Sequence, residues 1–173
     1  MTAPRKGATA ADRPTRRTPA ARAATGAART CLFRVALAGQ RSVTRDIEIA
    51  ATDSLAALAL AITDAFGFAF DHPYGFYSGT TRSGLARLEP RYELFADMAE
   101  GESDAGSVEC TSVAEAFPSL RHAMTFLFDY GDEWLFRVKL TAYGAKQAGV
   151  AYPRVIASQG DAPEQYPGMD DED

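Results

Sequence analysis

Cysteine and histidine are scarce in this 173-residue chain, and long apolar runs are missing. Cys31 and Cys110 stand alone, with neither C-x-x-C spacing nor a histidine nearby. Such a pair reads as two reduced thiols of a cytoplasmic protein, with a single disulfide as the alternative. No apolar stretch approaches the roughly 18 to 20 residues a helix needs to cross a bilayer, so no membrane partner is expected. Walker-type and G-x-G-x-x-G loops are absent, which removes the common nucleotide cradles. A G-x-S-x-G elbow is absent too, and His122, in Arg121-His122-Ala123, has no recognisable partner, so a serine or cysteine nucleophile is not expected.

Charge is present and unevenly placed. Residues 1–30 hold seven Lys/Arg against the single acid Asp12, and residues 31–173 hold eleven against twenty-two Asp/Glu. A basic arm thus precedes an acidic body. The arm is Ala, Thr, Arg, Pro and Gly without large apolar residues after Met1; it buries too little to offset its ordering entropy and is expected to be disordered. Arg16-Arg17 is followed by Thr, Pro and Ala, unlike a twin-arginine export signal, and the arm's faint likeness to a transit peptide ranks below a plain tail. Nucleic acid or another acidic surface is the partner such an arm could contact, whereas the acidic body argues against a duplex-binding face on the domain. The chain closes on an acidic tail, residues 169–173.

From Cys31 the pattern becomes that of a fold. Phe33, Val35 and Leu37 alternate with polar or small residues, Gly39-Gln40 interrupts, and Val43, Arg45, Ile47 and Ile49 resume, which predicts a hairpin. Thr52-Asp53-Ser54 supplies N-cap candidates for a helix whose apolar stripe is Leu55, Leu58, Ile62 and Phe66 and whose stop is Gly67. An aromatic strand is expected from Phe68 to Tyr77, limited by Pro73, and Tyr92 to Met98 reads equally as short helix or strand. Ser112 and Glu115 form a capping box for a short helix ended by Pro118. The centre of the chain is a second, aromatic hairpin around Gly131-Asp132, whose best register opposes Tyr130 to Trp134, Phe128 to Phe136 and Phe126 to Val138. From Tyr152 onward the segment lacks periodicity and is expected to lie across the domain.

Three runs carry a resemblance. Phe128-Asp129-Tyr130-Gly131-Asp132-Glu133-Trp134, Tyr152-Pro153-Arg154-Val155 with Pro163-Glu164-Gln165-Tyr166-Pro167, and Asp71-His72-Pro73-Tyr74 with Phe76 resemble motifs of the plasmid pRiA4b ORF-3-like family. Together they span about residues 31–168. The resemblance implies an α+β domain with a β-grasp-like hairpin-helix start, agreeing with the pattern above, and a link to plasmids and mobile elements; it supplies no catalytic residues. Some relatives carry a transposon-resolvase label, but the serine and arginine cluster such chemistry needs has no counterpart here. Two departures stand out: Arg41-Ser42-Val43-Thr44-Arg45-Asp46 occupies the place of a Pro-Pro-x-x-W-R-R stretch, and Phe68 that of a tryptophan.

The expectation is therefore one α+β domain over residues 31–168 between the arm and the tail. His72, Asp129, Asp132 and Glu133 are the candidate polar or metal site, weighed against turn capping by the aspartates. Tyr130, Gly131, Trp134, Tyr152, Pro153 and Arg154 are candidate sites by motif. The aromatic residues are read mainly as core, with a stacking platform as the alternative. Two functions compete: a non-enzymatic binding or adaptor domain without cofactor, touching nucleic acid at most through the arm, and a hydrolase holding a divalent metal at the His/Asp/Glu cluster.

Overall fold

The computed structural model describes residues 29–79, 90–97 and 104–167. The first hairpin forms as the alternation requires. Strand β1 (Arg29–Leu37) pairs antiparallel with β2 (Gln40–Ala50), setting Cys31 against Ile49 and Phe33 against Ile47 on one buried face. Helix α1 (Leu55–Phe66) follows. The Ser54 hydroxyl accepts from the Ala57 amide at 3.2 Å, and Gly67 ends the helix at φ 76°, a left-handed position that glycine takes without a Cβ penalty.

The remaining elements are β3 (Tyr74–Tyr77), β4 (Arg91–Glu93), β5 (Gly106–Ser107), the one-turn helix α2 (Val113–Ala116), β6 (Ala123–Phe128), β7 (Trp134–Ala145) and β8 (Arg154–Gln159). Among the described residues, the eight strands join one mixed sheet in the order β5-β4-β3-β6-β7-β1-β2-β8, parallel only between β4 and β5. Both helices pack on one face, where Phe66 meets Phe136 at 4.8 Å and Phe117 meets Phe33 at 4.7 Å between ring centroids.

This architecture corrects the α+β, β-grasp-like expectation. The hairpin and helix are present, but they do not form a separate unit. The twelve-residue β7 pairs with β6 on one side and β1 on the other, fusing both hairpins into a single β-rich sheet. Periodicity tells which residues share a face and not which strand lies beside which, so the merger left no mark on the pattern.

Three local expectations also change. The aromatic strand is only Tyr74–Tyr77, beginning after Pro73; of the two readings open for Tyr92 to Met98, the strand is the one present, at Arg91–Glu93. The central hairpin opposes Phe128 to Trp134, Phe126 to Phe136 and Met124 to Val138. That keeps the predicted faces but displaces the partners by two residues, because Asp129 and Glu133 both take positive φ, 58° and 54°, in a longer connection. Finally, the aperiodic segment contains β8, an edge strand on β2. It is held by Arg154, whose Nε and Nη2 donate to Glu48 Oε2 at 2.9 and 2.6 Å, and by Arg45, whose Nη1 donates to the Gln159 and Gly160 carbonyls.

The core reading of the aromatic residues holds for Phe68, Tyr74, Phe76, Tyr77, Phe126, Phe128 and Phe136, all buried, while Phe70 and Tyr130 are exposed. Phe68 packs edge-on against Trp134 at 4.7 Å. Of the basic arm expected over residues 1–30, Arg29 and Thr30 open β1 instead, while residues 1–28 and the expected tail, 169–173, lie outside the described residues.

Candidate functional site

The connection between β6 and β7 is built by Asp129. Its amide donates to the Pro73 carbonyl at 3.1 Å, and its Oδ1 accepts from the Gly131 amide at 2.8 Å and the Asp132 amide at 3.4 Å. The Glu133 amide closes the loop on the Asp129 carbonyl at 2.7 Å. A Cβ on residue 131 would sit 3.2 Å from Asp129 Oδ1, so glycine lets that carboxylate fold over the turn. Capping is therefore part of what Asp129 does. Its second oxygen, Oδ2, points elsewhere, 3.6 Å from His72 Nε2.

His72 stands between two carboxylates. Its Nδ1 is 2.8 Å from Asp71 Oδ1, and the Tyr166 hydroxyl donates to Asp71 at 3.2 and 3.0 Å while lying 3.3 Å from the same imidazole nitrogen. The Asp71 bond, reinforced by the charges of Asp129 and Asp132, raises the His72 pKa above its usual value against the opposing effect of burial. Conversely, the His72 bond holds the Asp71 carboxyl below its usual range. Burial, then the Asp71 carboxylate, pushes the Tyr166 phenol up.

Gln165 locks the last segment in place. It is buried, its Oε1 accepts from the Ala69 amide at 2.7 Å, and its Nε2 reaches the Ala69 carbonyl at 3.3 Å and the Tyr166 hydroxyl at 3.0 Å. One side-chain amide thus reads both backbone groups of Ala69 and orients Tyr166 toward Asp71. Beside this network, Asp132, Trp134, Gln165, Tyr166 and Pro167 line an open hollow of about 370 Å³.

Of the residues expected from sequence, His72, Asp129 and Asp132 are brought together. Glu133 contributes turn geometry, and its Oε2 is buried. Among the described residues, no three His, Cys, Asp or Glu side chains are grouped to hold a metal ion. Gly131 and Trp134 belong to the cluster. The Tyr130 hydroxyl instead bonds Tyr77 at 2.8 Å, and Tyr77 donates to Glu93 at 3.0 Å. Tyr152, Pro153 and Arg154 are not at this site; they seat β8 beside β2, with Arg154 over the Tyr152 ring at 5.4 Å. Sequence reasoning missed Asp71, Gln165 and Tyr166 as site residues, although the D-H and P-E-Q-Y-P runs that contain them were the available signal.

The chain belongs to the family described as Plasmid pRiA4b ORF-3-like protein, whose model matches residues 29–169. The fold is similar to that of a crystal structure of a protein of unknown function from Methanosarcina mazei Go1, at TM-score 0.63 and 19% identity, covering 79% of this chain and 72% of that one. No curated protein matches the chain.

Proposed function

We propose that this protein is a non-enzymatic binding domain and that the hollow beside His72 takes a flat cation, the arginine side chain of a partner protein. The observation that carries this reading is the meeting of three segments distant in sequence, Asp71-His72, Asp129 and Gln165-Tyr166, beside a surface hollow that Asp132, Trp134, Gln165, Tyr166 and Pro167 line. His72 is held by Asp71 at one ring nitrogen and faced by Asp129 at the other, so it is spent on the network and is poorly placed as a free general base. Asp132 is exposed at the rim, with Trp134 and Tyr166 as walls. A guanidinium stacks on aromatic faces and meets a carboxylate through a fork of N–H donors, which suits this lining. Cytoplasmic location, an adaptor role on mobile elements and an added nucleic-acid contact through residues 1–30 belong to the same proposal; the arm's excess of six positive charges supports the last of these.

Trp134 is the only tryptophan in the chain, so its emission reports on the hollow directly. Titration with N-acetyl-arginine amide is expected to change that emission saturably, while the neutral citrulline analogue leaves it unchanged. Asp132→Asn is expected to weaken arginine binding roughly tenfold, the scale of one charge-assisted hydrogen bond. Equal responses to arginine and citrulline would sink the reading. A rise in unfolding midpoint with one divalent metal, lost in Asp132→Ala, would favour the hydrolase instead.

A further inference from the structure

The sheet has a second face, away from α1 and α2, and its charges differ from those of the site above. Residues 31–173 carry twice as many acids as bases. Six of the ten Lys/Arg among the described residues are held: Arg34 by Asp46, Arg45 by backbone carbonyls, Arg91 by Glu93, Arg154 by Glu48, Arg29 over the Tyr143 ring and Lys146 over the Tyr152 ring. The Arg41, Arg121, Arg137 and Lys139 side chains are not, and of these Arg41 and Arg137 stand together. Both are exposed, and neither has a hydrogen bond, ion pair or ring contact among the described residues. They nevertheless line the same cavity, of about 700 Å³.

Most of the remaining lining is apolar: Ala36 and Leu135 share a face with Arg137, while Leu37 and Phe136 are buried on the helix side. Register explains why no acid neutralises Arg137 there: its cross-strand neighbours are Ala36 and Thr125, and Lys139 follows two residues along the same face. Thr125 has its hydroxyl committed to the Gly79 carbonyl. Among the described residues, the only charged groups in the lining are thus two guanidiniums, delivered from β2 and β7. Guanidinium is weakly hydrated and forms forked bonds to carboxylate or phosphate oxygens, and the volume is that of an ordinary small-molecule pocket.

We infer that this cavity, bounded by Arg41, Arg137 and an apolar floor of Ala36 and Leu135, is a binding site for a small organic anion with an apolar body. The anionic head is held between the two arginines, and the body lies on the floor, shielded from water. Neither group alone suffices: a bare anion forgoes the apolar contact, and a neutral apolar molecule leaves both cations unanswered. This site stands apart from the proposed arginine-binding hollow and does not depend on it.

The test is calorimetric titration of the full chain with three probes: octanoate, octanol and inorganic phosphate. Octanoate is expected to bind once per chain, with octanol and phosphate each at least about tenfold weaker. Arg41→Gln and Arg137→Gln should each weaken octanoate roughly tenfold, the scale of a charge-assisted bond. Because both side chains are exposed and have no polar or ring partner among the described residues, neither change should move the unfolding midpoint. Lys146→Gln removes a charge elsewhere and should leave octanoate binding intact. Equal binding of octanoate and octanol, phosphate binding as tightly as octanoate, unchanged affinity in both arginine variants, or an equal loss in Lys146→Gln would each overturn the assignment. So would the absence of binding at millimolar octanoate.

Discussion

Removing Arg154 should test what holds the edge strand. The Glu48 side chain is 8% exposed; its Oε2 receives both bonds from Arg154, and its Oε1 accepts from the Thr30 hydroxyl at 2.6 Å. Burial alone would raise the Glu48 pKa, but the bonds from Thr30 and Arg154 outweigh it, and the carboxyl lies below its ordinary 4.5. Deleting one partner of a buried ion pair costs about 3–5 kcal/mol, because the other charge is left without compensation. The Arg154 side chain keeps 38% of its exposure, so water reaches part of the gap and screens what remains. Arg154→Ala should therefore cost about 2–3 kcal/mol at pH 7, the lost contact with Tyr152 included. The sign of the pH dependence follows from the depressed carboxyl: its stabilisation is present above 4.5 and is lost as pH falls through the lower folded value. Urea unfolding of wild type, Arg154→Ala, Glu48→Gln and the double variant, at pH 7 and pH 3, measures this. The Arg154→Ala cost should shrink at pH 3 and fall below about 1 kcal/mol in the Glu48→Gln background, where no charge is left stranded. A cost under about 0.5 kcal/mol at pH 7, the size of an ordinary surface substitution, or one that is unchanged in Glu48→Gln would refute the reasoning.

His72→Gln should destabilise the protein more at pH 5.5 than at pH 8. The raised folded pKa means the imidazolium contribution is fully present below 6.5 and disappears as pH rises through the folded value, while Asp71 keeps its charge down to below 3.8. Thermal unfolding of both proteins across that range checks it, and a difference that grows toward pH 8 would contradict the arrangement. Phe126→Ala, at a fully buried ring packed on Phe76 and Phe136, should cost about 3–5 kcal/mol in chemical denaturation through the cavity it opens.

The legible parts of the fold were those where one face is buried and its ends are marked. Helix α1 announced itself by Leu55, Leu58, Ile62 and Phe66 between Ser54 and Gly67, and α2 by its Ser112–Glu115 capping box. Strand β8 was illegible because residues 155–159 are exposed, and a strand wet on both faces has no reason to alternate. The hairpin register was legible only in its parity. A two-residue displacement keeps every side chain on its face, so the choice fell to backbone conformation at Asp129 and Glu133, which the apolar pattern does not encode. At the site, Asp129 and Asp132 showed themselves as turn residues, but their meeting with His72 depends on β3 pairing with β6, which sets Tyr74 against Phe128 and so places the flanking His72 and Asp129 side by side. Gln165 acts through the backbone of Ala69, a partner no spacing rule would suggest.

The claim that separated segments make one ligand site is tested most directly by amide chemical shifts during titration of isotope-labelled protein with N-acetyl-arginine amide. The account predicts that residues 71–72, 129–134 and 165–166 shift together and saturate along a single binding curve. Shifts confined to one segment, or scattered without a common curve, would contradict it.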